Sequence, residues 1–334
     1  MKVSRSRVGL VSLGLGLLLA AVFLFCLGLG TVDISTAQVW AWLGGRLEEG
    51  SAAVILTNFR LPRLLLAALV GISLSLSGTV FQGVLRNPLA EPFILGVSGG
   101  AAAGAVLSLV MSLGGTWTTS LLAFAGALTT VFLVLGIARW RGRMETATLV
   151  LAGVMVNAFF TAVIMFVIST TTDQKLHAIM FWLYGDLSGA RLDQLWLLAV
   201  VSLAGGGVLF SYSRQLNLIS AGDQTAAALG VNVERTKLVL LTLVSLLCGV
   251  TVSLSGLIGF VGLMVPHLVR MVLGADHRLL LPAAGLFGAS FMIAADTAAR
   301  TVISPIQLPV GVVTATLGAP FFLLLLAKRG SRWW

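Results

Sequence analysis

Charge is what this sequence has least of. Only 10% of its 334 residues are charged, against roughly 25% in a soluble domain. So small a supply cannot cover a water-facing surface, which excludes an ordinary soluble globule. Lysine is scarcer still. The four lysines follow Met1, Gln174, Thr236 and Ala327. None follows glycine, so the Gly-Lys pair by which a P-loop holds phosphates is missing. Cysteine is limited to Cys26 and Cys248, both in apolar runs and without metal or redox spacing. His177, His267 and His277 lie far apart, on loops or at the ends of apolar runs. No carboxylate pair or nucleophile motif stands out. The residues therefore predict no enzyme, no metal site and no cofactor bound by this chain.

What the sequence does have is apolar length. The hydrophobic fraction is 58%, and runs near 20 residues recur from end to end. About 20 apolar residues cross a hydrocarbon core of roughly 30 Å. The spans predicted are 8–30, 61–83, 92–113, 117–138, 147–170, 193–212, 238–257, 259–273, 280–300 and 309–327. The expected fold is therefore an all-α integral membrane protein of about ten helices, one permease domain over 1–334. Lys2, Arg5 and Arg7 precede the first run, which is longer than a signal-peptide core and lacks a clear cleavage site. It reads as an uncleaved span. Glycine, at 38 residues, falls mostly inside the runs, where small residues let helix backbones approach.

A net charge of +9 invites nucleic acid as a partner, but the basic residues sit at the ends of the apolar runs. There they mark the cytoplasmic side. Both tails are basic, Lys328, Arg329 and Arg332 closing the chain. Both tails inside require an even number of crossings, which keeps the short eighth span with its Pro266. Ten crossings leave only Arg46, Arg60, Arg63, Lys175, Arg191 and Arg300 outside. The other clusters, including Arg86, Arg139, Arg141, Arg143, Arg214, Arg235, Lys237, Arg270 and Arg278, fall inside. Ser75-Leu76-Ser77-Gly78 and Ser253-Leu254-Ser255-Gly256 lie five spans apart and so point in opposite directions. That suggests an inverted repeat of spans 2–5 and 7–10, a common transporter design.

Ionisable groups within the spans are nearly absent. Only Asp296 qualifies, with Arg300 four residues on along the same face. A local ion pair and a working charge both fit that spacing. Such poverty argues against a proton- or sodium-coupled carrier, which needs buried charge. The segment 214–237 is polar, and Ala221 to Gly230 reads as a short helix outside the bilayer, capped by Asp223 and ended by Gly230. It fits a knob for a soluble partner and fits an ordinary connector equally. Arg60-Leu61-Pro62-Arg63 and Arg300 place arginine on the outer face, where the bilayer does not ask for it. They suit docking of carboxylates, or snorkelling and capping. Arg86 to Pro92 reads as a fixed turn between spans.

The chain resembles the permease family of type II ATP-binding-cassette importers, which take up iron-siderophores, haem and cobalamin; an iron(III)-siderophore is the cargo expected first, with cobalamin or haem the alternative. The resemblance runs from the second span to the C-terminus and more loosely over the first. It rests on Arg60-Leu61-Pro62-Arg63, Asn87-Pro88-Leu89-Ala90-Glu91-Pro92, Gly222-Asp223 with Leu229-Gly230, Val265-Pro266-His267, Asp276-His277-Arg278, Ala295-Asp296 and Pro309-Val310-Gly311. It implies a homodimer with one path at its axis, in a bacterial or archaeal inner membrane. It also implies two cytoplasmic ATPase subunits, which would bind ATP and Mg, and an extracytoplasmic substrate-binding protein. The ATPase coupling residues would be Gly222, Asp223, Ala226, Leu229 and Gly230. Glutamates of the binding protein would meet Arg60, Arg63 and Arg300. Gln307 departs from the family, which often has glutamate there. With a path at the dimer axis, its lining is expected to be bland, drawn from Ser98, Gly99, Asn157, Thr161, Thr314 and Thr316. A carrier or channel working without an ATPase is the rival class, and reconstituted transport without an ATPase would favour it.

Overall fold

The structure is a computed structural model that describes residues 4–48, 50–113, 115–140 and 146–329. Arg141 and Arg143 of the basic clusters lie outside the described residues, as do Lys2 and Arg332. Among the described residues every regular element is helical. In chain order these are α1 (Arg5–Gly28), α2 (Thr36–Leu43) and α3 (Ser51–Val54), which runs through a π-turn, Ile55–Arg60, into α4 (Leu61–Leu85). Then come α5 (Val97–Val110), α6 (Thr116–Trp140), α7 (Thr146–Ser169), α8 (Asp173–Leu183) and α9 (Leu192–Ser211). The rest are α10 (Ser213–Ala221), α11 (Asp223–Ala228), α12 (Val233–Ser255), α13 (Val261–Leu273), α14 (His277–Thr301) and α15 (Val310–Arg329).

Among the described residues seven segments are long and apolar enough to cross a membrane: α1, α3–α4, α6, α7, α9, α12 and α14. Three shorter apolar helices, α5, α13 and α15, bring the set to ten. Helix α5 has 14 residues and rises only about 21 Å. Neither it nor the 13-residue α13 covers the roughly 30 Å core alone. Each is completed by non-helical chain. Residues Pro92–Leu95 form a single 3₁₀ turn and 256–260 are irregular. The predicted spans 92–113 and 259–273 therefore begin later as α-helix, at Val97 and Val261. Both short helices start from a left-handed residue, Gly96 at φ 74° and Phe260 at φ 68°. The two irregular stretches touch, the Phe260 N–H donating to Glu91 Oε1 at 2.8 Å. Non-helical backbone at membrane depth needs such internal partners.

A repeat shows in this helix order: α4–α7 and α12–α15 each place a short helix second, of 14 and 13 residues, after a long one. The tetrapeptides that suggested it are not equivalent positions. Ser75–Gly78 sits in the interior of α4, whereas Ser253–Gly256 closes α12.

Helix α4 is the centre of the molecule, every residue from Ser73 to Leu85 being buried. It packs on α14, α12, α13 and α9. Two of these contacts are backbone on backbone. A Cβ on Gly71 would lie 2.2 Å from the Gly288 carbonyl oxygen, and one on Gly78 only 1.7 Å from that of Gly262. By contrast, α1 and α7 lie at the periphery. Leu151, Met155, Phe159 and Phe166 of α7 are exposed.

Candidate functional sites

At one end of the bundle, where α1 stops and α4 starts, three arginines converge. Helix α1 ends at Gly28, leaving carbonyls without helical partners. Arg60 supplies them. Its Nη1 donates to Leu27 O at 2.9 Å and Gly28 O at 2.7 Å, and its Nη2 to Val32 O. Arg300 does the same from α14, reaching Leu29 O at 3.1 Å, while its Nη2 also bonds Thr297 Oγ1 at 3.2 Å. Arg63 takes Asp296 in a fork, Nη2 to Oδ1 at 2.9 Å and Nε to each carboxylate oxygen at 3.0 Å. Arg63 Nη1 donates to Gln307 Oε1 at 2.9 Å. Arg300 Nε stands 3.6 Å from Asp296 Oδ2.

All three arginines are buried, none more than 9% exposed, and Asp296 is 0% exposed. Arg60 and Arg300 thus do what the capping alternative expected, holding the open end of α1. The carboxylate of Asp296 and the open end of α1 draw them in. They nevertheless line a cavity of about 260 Å³ that contains Gln307 and Ser188 and no carboxylate among its lining residues. A larger cavity of about 750 Å³ lies at the same end, between α5, α6, α8, α9 and α12.

At the other end, α10 and α11 form the projecting segment. The cap of α11 is Gly222, at φ 134°, and Asp223 is its first helical residue. The expected Asp223 cap is corrected, because its carboxylate turns away to Lys237 of α12, Oδ2 lying 2.6 Å from Nζ. Lys237 is only 3% exposed, so this pair ties α11 to the start of a span. Gly230 ends α11 as predicted. It sits at φ 84°, with Gly230 N–H on Ala227 O and Val231 N–H on Ala226 O, a Schellman closure. Ala226 is buried and Leu229 is 63% exposed, an apolar tip on a braced helix.

The expected path residues separate into two groups. Thr314 is fully buried and donates to Gly311 O, and Gly99 is buried against Asn157, so packing within the chain has claimed both. Ser98 and Asn157 are half-buried, and Thr161 and Thr316 are exposed. Thr161 returns its hydroxyl to Asn157 O at 2.8 Å. Among the described residues no group of three or more His, Cys, Asp and Glu side chains could hold a metal ion.

Sequence reasoning missed the cross-helix polar pairs. Gln82 of α4 holds Arg270 of α13, Oε1 accepting from Nη2 at 2.8 Å. Asn217 of α10 donates to Asp276, the cap of α14, at 2.9 Å. Arg278 and Asn217 together hold the Asp276 carboxyl well below the usual carboxylate range, the Arg278 hydrogen bond being the largest cause.

Ten apolar helices with a repeated order, a braced projection at one end and an arginine cavity at the other define a multi-pass membrane protein. The chain belongs to the FecCD transport family, whose model matches residues 18–328. It is 45% identical to the cobalamin import system permease protein BtuC of Halobacterium salinarum over 84% of this chain and 76% of that protein. It is 40% identical to the hemin transport system permease protein HmuU of Yersinia pestis, over 95% and 96% of the two chains. A solved structure described as a metal-chelate type ABC transporter in an inward-facing conformation superposes with a TM-score of 0.86, at 33% identity. It covers 95% of this chain and 99% of the other.

Proposed function

We propose that this chain is the membrane-spanning subunit of an ATP-driven importer of a bulky metal chelate. The observation that carries the proposal is the braced projection. Helix α11 offers an exposed Leu229 and is locked to α12 by Asp223–Lys237. A push on its tip moves a span, and the chain has no P-loop of its own to supply the push. Two soluble ATPase subunits at that end, which is the cytoplasmic one by the basic clusters, complete the machine. Two copies of the chain enclose the path, with the exposed apolar residues of α7 divided between lipid and the second copy. Thr161 and Thr316 are the hydroxyls left to face it. The relatives named for a cargo carry cobalamin and hemin, which favours a metal-bearing ring over a siderophore.

The arginine cavity gives the opposite end its role. It is cationic and small, and one carboxylate of an extracytoplasmic binding protein fits it by charge and size. Gln307, where the family often has glutamate, leaves Arg63 with an amide oxygen in place of a second counter-ion.

The test is Leu229→Glu in vesicles reconstituted with the ATPase subunits and the binding protein. ATP-driven uptake of the chelate should fall at least about tenfold, the loss expected when one anchor in a partner interface is charged. Full uptake by this variant, or uptake by the wild type without ATPase subunits, refutes the lever.

A further inference from the structure

A further cavity, of about 250 Å³, opens at the α11 end of the bundle. Its lining includes Gln82, Gly83, Arg86, Ser220, Arg270 and His277, and no acidic side chain. Arg86, at the left-handed end of α4, makes no hydrogen bond or ion pair with any described side chain. Arg270 is half-buried, and it donates to the neutral Gln82. Gln82 cannot turn away, because its Nε2 donates to Leu263 O at 3.1 Å. The carboxylates nearest in sequence are engaged elsewhere, Glu91 with the Phe260 N–H and Asp276 with Arg278 and Asn217. Two guanidiniums thus face one small cavity without a counter-ion, an arrangement that burial penalises.

His277 sharpens the chemistry. It is 3% exposed, and its Nε2 has no hydrogen-bond partner. Its Nδ1 lies 2.8 Å from Asn217 Oδ1, and the same oxygen accepts from the His277 backbone N–H. Asn217 Nδ2 is committed to Asp276, so the oxygen faces the ring and Nδ1 carries the proton. Nε2 is then an acceptor that waits for a donor. It crowds Gly83, where a Cβ would stand 2.8 Å from it, so only glycine leaves the ring its place.

We propose that this cavity binds a phosphate group that carries one proton. Two anionic oxygens meet Arg86 and Arg270, and the P–OH donates to Nε2 of His277. Inorganic phosphate and the monoester headgroup of phosphatidic acid share that chemistry. Sulfate and the phosphodiester lipids lack the proton.

The experiment is calorimetric titration of the full-length chain in neutral detergent with inorganic phosphate, at ionic strength held constant with chloride. One saturable site is expected, with sulfate binding more weakly. Arg86→Gln, at an exposed residue without internal partners, should fold normally and weaken phosphate about tenfold, the loss of one charge-assisted hydrogen bond. Reconstitution in bilayers containing phosphatidic acid distinguishes the source. Displaced phosphate assigns the site to the lipid, and unchanged phosphate binding assigns it to the free ion. Equal phosphate binding by wild type and Arg86→Gln, or no saturable binding by the wild type, overturns the proposal. So does loss of binding when the ATPase subunit is added, since the cavity then receives an acidic side chain of that subunit.

Discussion

Asp296→Asn is the sharpest perturbation of the fold. The substitution keeps the shape and removes the charge. Asp296 is 0% exposed and accepts three hydrogen bonds from Arg63, at 2.9–3.0 Å. Its second oxygen also faces Arg300 at 3.6 Å. In the variant an amide NH₂ points at guanidinium donors, and Arg63 stays buried with only Gln307 for a partner. Breaking a buried pair from one side costs about 3–5 kcal/mol. Arg300 suffers less, because backbone carbonyls of α1 hold it as well. Stability would be read from unfolding of the purified chain in mixed micelles of rising dodecyl sulfate content. The decisive arm is a double-mutant cycle with Arg63→Met. Once Asp296 is neutral, removing Arg63 should cost little, giving a coupling of about 2–3 kcal/mol. Additive costs would show that the two side chains do not depend on each other and would refute the reasoning.

Gly78→Ala should destabilise the chain by at least about 1–3 kcal/mol, since its Cβ falls 1.7 Å from the Gly262 carbonyl and one backbone must give way. The same unfolding assay reads it, and Gly136→Ala, where a Cβ meets nothing within 4 Å, serves as the neutral control. Asp276 gives a pH signature. Its folded pKa is depressed, so its contribution is present above the unfolded value of about 3.9 and fades as pH falls toward the folded one. The stability difference between wild type and Asp276→Asn should therefore shrink between about pH 6 and about pH 3.

The spans were legible because lipid asks one simple thing of a sequence, an apolar run of sufficient length. Basic clusters then fixed the parity that rescued α13, whose 13 residues and Pro266 weaken its hydropathy signal. Helices α2 and α8 left no such mark. They lie between spans, and α8 mixes Asp173, Lys175 and His177 with its apolar residues. The projecting helix, expected over Ala221 to Gly230, runs Asp223–Ala228 behind a separate α10, and Asp223 was given to the wrong partner. Local rules favour a cap, and the competing ammonium of Lys237 lies 14 residues away. The arginines illustrate the same limit more strongly. Arg63 and Asp296 are 233 residues apart, and no periodicity links them. Only the packing of α4 on α14 brings them together. Nor could spacing say that Thr314 and Gly99 would be consumed by packing, since a hydroxyl or a glycine serves a wall and a seam equally well.

The glycine seams joining α4 to α13 and α14 have a mechanical side. Where two main chains press together with no side chain between them, nothing is left to compress or re-rotamerise. Displacement then passes across the seam undiminished. These three helices accordingly form one stiff body, and whatever opens and shuts during a transport cycle has to be sought where side chains separate the backbones, as along α1, whose Gly9, Gly14 and Gly16 meet no neighbour.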